Sequence, residues 1–85
     1  MIIKVIGQEA TVNTTASTYS NAVAVRIVNA NTGTPVLVTR VDSSNTTIAT
    51  LTIPASQVEY LRKTATDTLQ GNGTVGVVAA PIAFN

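Results

Sequence analysis

The sequence predicts an all-β protein, a small antiparallel β-sandwich or barrel of about six or seven strands. Apolar runs rich in Val, Ile and Thr recur along the 85 residues at roughly the 8–12 residue spacing of such folds. Clusters of Asn, Gly, Pro and Ser separate these runs, as expected for turns. The length predicts one domain, residues 1–85.

A β-hairpin is predicted in the middle of the chain. PVLVTRVD (residues 35–42) and TTIATLTI (46–53) flank the polar loop DSSN (42–45), and Pro35 stands where a strand tolerates a missing donor. AVAVRIVN (22–29) is apolar on both faces, which predicts a central strand covered on both sides. Further strands are predicted at residues 2–6, 9–14 and 74–84, the last bent or ended near Pro81, with a loop at 64–73.

Residues 57–64, QVEYLRKT, fit two structures. A helix would place Glu59 and Lys63 one turn apart, with Ser56 and Glu59 as a capping box. A strand is favoured because the segment is rich in β-branched and aromatic residues, and because so short a helix is marginal in water. We therefore predict a strand after a corner at Pro54.

The composition lacks most of the residue types on which catalytic sites depend. The chain has no Cys and no His, which excludes disulfides, thiolate zinc sites and a Ser-His-Asp triad. The carboxylates all lie beside turn or surface residues, which indicates solvated side chains rather than an acid–base pair: Glu9, Asp42, Glu59 and Asp67. DSSN resembles a calcium loop only weakly, and a hairpin turn is favoured there. We predict a protein that is not an enzyme, with no metal, cofactor or small-molecule substrate.

Charge is sparse, at 11% of residues and a net +1, against about 25% charged residues in typical domains. The basic residues are scattered rather than clustered, so no nucleic-acid partner is predicted. No apolar run approaches the roughly 20 residues of a membrane-spanning helix, so no membrane partner is predicted. A surface with so little charge is poorly protected against association, which fits a protein in an assembly. The alternative is an ordinary Thr-rich domain.

Tyr60, Arg62 and Lys63 form the local cluster with binding character, because Tyr and Arg are enriched at interface hot spots. The alternative is a solvated strand end with Tyr60 in the core. The apolar runs at residues 2–6 and 75–84 are candidate edge strands, to which another chain would add a strand. The candidate interface residues in these runs are Ile3, Val5 and Val77.

The order of the segments resembles a known class of protein. The segments that carry the resemblance cover nearly the whole chain. They are IIKVIGQEATVN, NAVAVRIVN, the hairpin VLVTRVD…TIATLTI, the corner IPASQVEYLRKTATDTLQG and the last segment, VVAAPIAF. This order resembles small structural proteins of tailed bacteriophages, especially phages of marine cyanobacteria, and most closely their capsid decoration, or cement, proteins. The most distinctive piece is the corner followed by a V-E-Y strand with basic residues and a T-D-T-L turn.

The resemblance implies a non-enzymatic virion protein on the outer capsid surface. Its partners would be the major capsid protein, whose neighbouring subunits it would bridge, and copies of itself, with a trimer as one candidate assembly. A tail, baseplate or fibre-associated module has a similar β-rich, Thr-rich sequence and is the first alternative. A carbohydrate-binding β domain is the second, although the chain has no Trp for an aromatic platform and only Tyr19, Tyr60 and Phe84.

Overall fold

Two antiparallel β-sheets packed face to face form the fold, in a computed structural model that describes residues 2–84 and, of Phe84, the backbone alone. This confirms the all-β class and the antiparallel sandwich, with eight strands rather than six or seven. The strands are β1 (Ile3–Val5), β2 (Ala10–Thr11), β3 (Ala24–Asn29), β4 (Val36–Val41), β5 (Thr47–Ile53), β6 (Gln57–Arg62), β7 (Thr68–Gln70) and β8 (Val77–Phe84).

The larger sheet has the order β1-β8-β3-β6, and β2 also pairs with β8. The smaller sheet has the order β5-β4-β7. The predicted hairpin is confirmed as β4 and β5, and the predicted strand at 57–64 is confirmed as β6 rather than a helix. Residues 64–73 are not a continuous loop, because β7 forms there by pairing with β4. The described part of the chain holds no helix long and apolar enough to cross a membrane.

The core follows from strand alternation on the two facing sheets. On β3, Val25 and Ile27 point inward, and their neighbours on β8 are Pro81 and Ala79. The smaller sheet contributes a set of buried aliphatic side chains to the same core, and these lose their contact with water on folding. These are Val36, Val38, Ile53 and Leu69. The central position predicted for residues 22–29 is confirmed, although the outer side of β3 is only partly covered.

Pro81 lies within β8, so the strand does not end near it, which was one of the two outcomes predicted there. The Pro81 carbonyl accepts a hydrogen bond from the Ile6 N–H at 3.0 Å. In an antiparallel strand the two backbone groups of one residue point to the same side. The N–H that proline lacks would therefore face the break between β1 and β2. The break removes the need for that donor, so a central strand tolerates proline here.

Asn29 is a fully buried polar residue that ties the two sheets together. Its side-chain amide nitrogen donates to the carbonyl of Ile53, at the end of β5, at 3.1 Å, and to that of Thr34 at 3.0 Å. Its side-chain oxygen accepts the Asn31 N–H at 3.1 Å. Because every bonding group of this amide is engaged, it fixes the end of β3 against the start of β4 and the end of β5.

Gly7 occupies the break beside Pro81, and we expect Gly7→Ala to destabilise the fold. A Cβ atom at residue 7 would lie 2.7 Å from the Pro81 Cγ, which a rigid ring in a central strand cannot avoid without a shift. Overpacking of this kind costs about 1–3 kcal/mol of unfolding free energy. Urea denaturation measures the loss. Gly33→Ala is the matched control, since a Cβ there meets nothing within 4 Å. Equal stability of the two variants would contradict this packing.

Asn29→Ala should lower the unfolding free energy by about 1–3 kcal/mol, because it removes the donor to the buried carbonyl of Ile53 and to the part-buried carbonyl of Thr34. Asn13→Ala is the control, since that exposed side chain accepts one local hydrogen bond. We expect the control to stay within about 0.5 kcal/mol of the wild type. If both variants unfold at the same urea concentration, Asn29 does not join the sheets.

Candidate interaction surface

The strand register of the larger sheet brings a row of apolar side chains to its solvent side. Residues of β3 that alternate with the core positions pair with outward-facing residues on β6 and β8. The same alternation continues into β1 and β2. We call this surface the outer face; it consists of Ile3, Val5, Thr11, Ala24, Arg26, Val28, Val58, Tyr60, Arg62, Val78, Ala80 and Ile82.

The outer face combines a buried centre with exposed apolar margins. Ala24, Ala80 and Ile82 are buried at its centre. Val5 on one margin is 61% exposed and Tyr60 on the other is 48% exposed. Adjacent strands lie about 4.8 Å apart, so the row from β1 to β6 spans roughly 15 Å. Exposed apolar side chains that share one face of a sheet are typical of a protein-interaction surface.

The charges on the outer face are all positive. Arg26 is partly buried and stands opposite Tyr60 in the register, while Arg62 is exposed at the end of β6. No Asp or Glu belongs to this set of residues. A guanidinium group pairs well with carboxylates through its planar fork of donors. The face therefore suits an apolar partner surface that carries acidic groups.

The outer face brings together residues from two distant parts of the sequence, Ile3 and Val5 on β1 and Tyr60 and Arg62 on β6. Tyr60 is exposed, so the alternative that placed it in the core is wrong. The interface role of these residues stays a prediction. Sequence alternation already indicated that Tyr60 and Arg62 share a face, but only the pairing of β1 with β8 adds Ile3 and Val5.

The structure corrects the prediction for Lys63 and Val77. Lys63 is 3% exposed, and its Nζ donates to the carbonyls of Thr64 and Ala65 at 3.4 and 3.2 Å. Because neighbouring strand residues point to opposite sides, Lys63 turns inward where Arg62 turns outward. Val77 is 0% exposed and belongs to the core. Its strand, β8, lies between β1 and β3, so the predicted edge at 75–84 is also wrong.

The Asp67 side chain connects the smaller sheet to the turn after β6. Its Oδ2 accepts the Arg40 Nε–H at 2.8 Å and the Thr64 N–H at 3.2 Å. The hydrogen bond from Arg40 is the main cause that lowers the pKa of the Asp67 carboxyl group. Burial lowers the pKa of the nearby Lys63 amine, although the charge of Asp67 acts against this. Asp67 is thus a buried structural carboxylate, and the prediction of a solvated one is wrong.

Asp42 also has a structural task, in the hairpin loop. Its Oδ1 accepts the N–H groups of Ser44 and Thr46, each at 2.9 Å, and Asn45 adopts a positive φ of 64°. This arrangement confirms the hairpin turn that was favoured over a calcium loop. Glu9 and Glu59 are exposed, as predicted for solvated carboxylates.

The lowered pKa of Asp67 predicts an acid-sensitive fold. A carboxyl group with a folded pKa below its ordinary 3.8 stabilises the protein above that value, and the stabilisation is lost as the pH falls through the lowered folded pKa. Asp67→Asn should therefore be less stable than the wild type near neutral pH, and this difference should shrink as the pH falls below 3.8 and the wild-type carboxyl group becomes protonated. Urea denaturation across pH measures it. Arg40→Gln is the companion variant and should also reduce the fall of the unfolding free energy at low pH. The same fall in Asp67→Asn as in the wild type would contradict a stabilising ion pair between Arg40 and Asp67.

Comparison with models of known protein families, with curated proteins and with solved structures finds no match to this chain.

Proposed function

We propose that this chain is a structural protein of a tailed-phage virion that decorates the outside of the capsid and stabilises contacts between neighbouring major capsid subunits. The observation that carries the proposal is the outer face, an apolar surface with arginines as its only charges. A fold of this size does not need such a face for its own core, which lies on the other side of the same sheet.

The outer face has the composition of a binding patch. Interface hot spots are rich in Tyr and Arg, surrounded by apolar contacts that exclude water. Tyr60 and Arg62 occupy neighbouring outward positions on β6, with Val58 on the same strand. On the far side of the face, Val5 offers an exposed aliphatic contact. A partner that covers both margins would remove these side chains from water, which favours binding by about 25 cal/mol for each Å² of apolar surface.

A capsid lattice suits a small protein that docks through one face. A standard interface buries about 800 Å² on each partner, which is a large share of the surface of a small domain. A protein that contacts neighbouring subunits with a single rigid face gains from each contact at the high local concentration of a lattice. The buried centre of the outer face, with Ala24, Ala80 and Ile82, keeps the backbone beneath it from having to reorganise on binding.

The alternatives use other partners. A tail, baseplate or fibre-associated module would use the same outer face on a different virion protein. A carbohydrate-binding domain would need an aromatic platform, but Tyr19 is buried, and its hydroxyl donates to the Thr11 carbonyl at 3.3 Å. Of the aromatic side chains that the structure describes, this leaves Tyr60 exposed.

We expect Tyr60→Ala and Arg62→Glu each to weaken binding to capsids of the encoding phage by about tenfold or more, as for hot-spot residues. Co-sedimentation of the purified chain with capsids, and separately with tails, measures the binding. Lys4→Glu is the matched control, because it makes the same charge change on the opposite side of the same sheet. Lys63 is unsuitable as a test residue, since its substitution would disturb a buried site.

Binding to tails and not to capsids would replace this proposal with the tail or baseplate alternative. Binding to neither, together with changes in Tyr60 fluorescence on addition of glycans, would replace it with the carbohydrate alternative. Equal losses in Arg62→Glu and Lys4→Glu would show that general charge, rather than the outer face, controls docking.

A further inference from the structure

β5 is an edge strand of the smaller sheet without the usual protection. It pairs with β4 on one side, and in the described structure no strand pairs with its other side. Its sequence, TIATLTI, contains no charged residue, no Pro and no Gly. An edge of this kind presents unpaired N–H and C=O groups and is a template for pairing with another strand. Short segments with high β propensity and no charge favour such pairing.

The other edge strands carry protection that β5 lacks. β6 bears Glu59 and Arg62, and β1 and β7 are only three residues long. The protective feature on β5 is a bulge: Ala49 pairs with Arg40 but Thr47 pairs with Val41. The bulge twists the first residues of the strand away from a regular edge. The regular edge therefore runs through residues 49–53.

The core is open beside this edge. A groove of about 190 Å³ lies between β5 and β6. Leu51 and Leu61 on its walls are only partly buried, although both pack against the main core. Ala49, a small residue on the same side of β5 as Leu51, leaves room within it. The lining residues are Val38, Arg40, Ala49, Thr50, Leu51 and Leu61.

We propose that two copies of this chain pair through β5, antiparallel about a two-fold axis at Leu51, so that the smaller sheets of the two copies become one. In this register Leu51 meets Leu51 of the second copy, Thr50 meets Thr52, and the small Ala49 meets the large Ile53. The second copy fits because a two-fold axis pairs the same uncharged strand with itself, so no charge of either strand is buried. Thr–Thr pairs on one side and aliphatic pairs on the other are favourable across strands.

The dimer should be weak and reversible. One edge strand buries much less than the roughly 1,200–2,000 Å² of a stable interface. We therefore expect dimers to form as the protein concentration rises and to dominate where copies are held close together. This inference concerns the purified chain and does not rest on the capsid proposal. The two surfaces are separate, since the outer face belongs to the larger sheet and β5 to the smaller one.

Light scattering across a concentration series tests the self-association. The wild type should pass from monomer to dimer, and Thr50→Lys should weaken the dimer by about tenfold or more, because it places a charge on the pairing edge. Thr15→Lys is the control, an exposed threonine in a loop far along the chain from β5. Urea denaturation shows that both variants remain folded. A wild type that stays monomeric at every concentration, or that forms a trimer, overturns the proposal.

Cysteine cross-linking tests the register, and the chain has no native Cys to interfere. Thr50→Cys mixed with Thr52→Cys should form a disulfide-linked dimer on mild oxidation, since these residues are opposite each other in the proposed pair. Either variant alone should cross-link much less. Cross-linking that is strongest with Thr50→Cys alone overturns the axis at Leu51. A dimer that survives Thr50→Lys but is lost in Tyr60→Ala assigns self-association to the outer face and overturns the role of β5.

Discussion

The relative position of the two sheets depends on the buried amide of Asn29. Apolar side chains hold the sheets together, but the hydrophobic effect is not directional and specifies a relative position less sharply than hydrogen bonds do. The hydrogen bonds from Asn29 to the Thr34 and Ile53 carbonyls fix one end of the sandwich. The ion pair of Arg40 with Asp67 fixes the smaller sheet to the turn after β6. In the described structure no buried side-chain polar atom lacks a hydrogen-bond partner, so these polar groups specify the packing without an unpaired donor or acceptor.

The two sheets are unequal, and both candidate surfaces follow from that. The larger sheet is five-stranded and the smaller one three-stranded. A wide sheet buries only one of its faces against a narrow one, and the outer face is the side that remains. The narrow sheet in turn leaves the core open between β5 and β6, where Leu51 and Leu61 are only partly buried. Neither feature serves the stability of an isolated molecule, because each keeps apolar side chains in water.

Local pattern was enough to predict the parts of this fold that depend on neighbouring residues. Alternation and the polar loop at Asp42 identified the hairpin, and β-prone side chains identified β6. The errors arose where a distant partner decides the outcome. Pro81 is tolerated within β8 because the break at Gly7, more than seventy positions earlier in the sequence, faces it. Val77 was predicted at an edge because no local signal shows that β8 lies between β1 and β3. The error at Lys63 has a different origin, because the alternation of side chains along a strand already indicates that Lys63 and Arg62 point to opposite sides.

The outer face and the β5 edge are on different sheets, so a copy bound through one still has the other free. If the outer face binds a capsid as proposed, the free edge of β5 lies on the other sheet and stays available. Neighbouring copies at the right spacing would then gain the second contact at a high local concentration, even if it is too weak to persist in dilute solution. Such a link would make the loss of one copy depend on its neighbour, so release from the particle would become cooperative. Thr50→Lys separates the contribution of β5 pairing from that of the outer face, because it weakens the pairing and leaves Tyr60 and Arg62 in place.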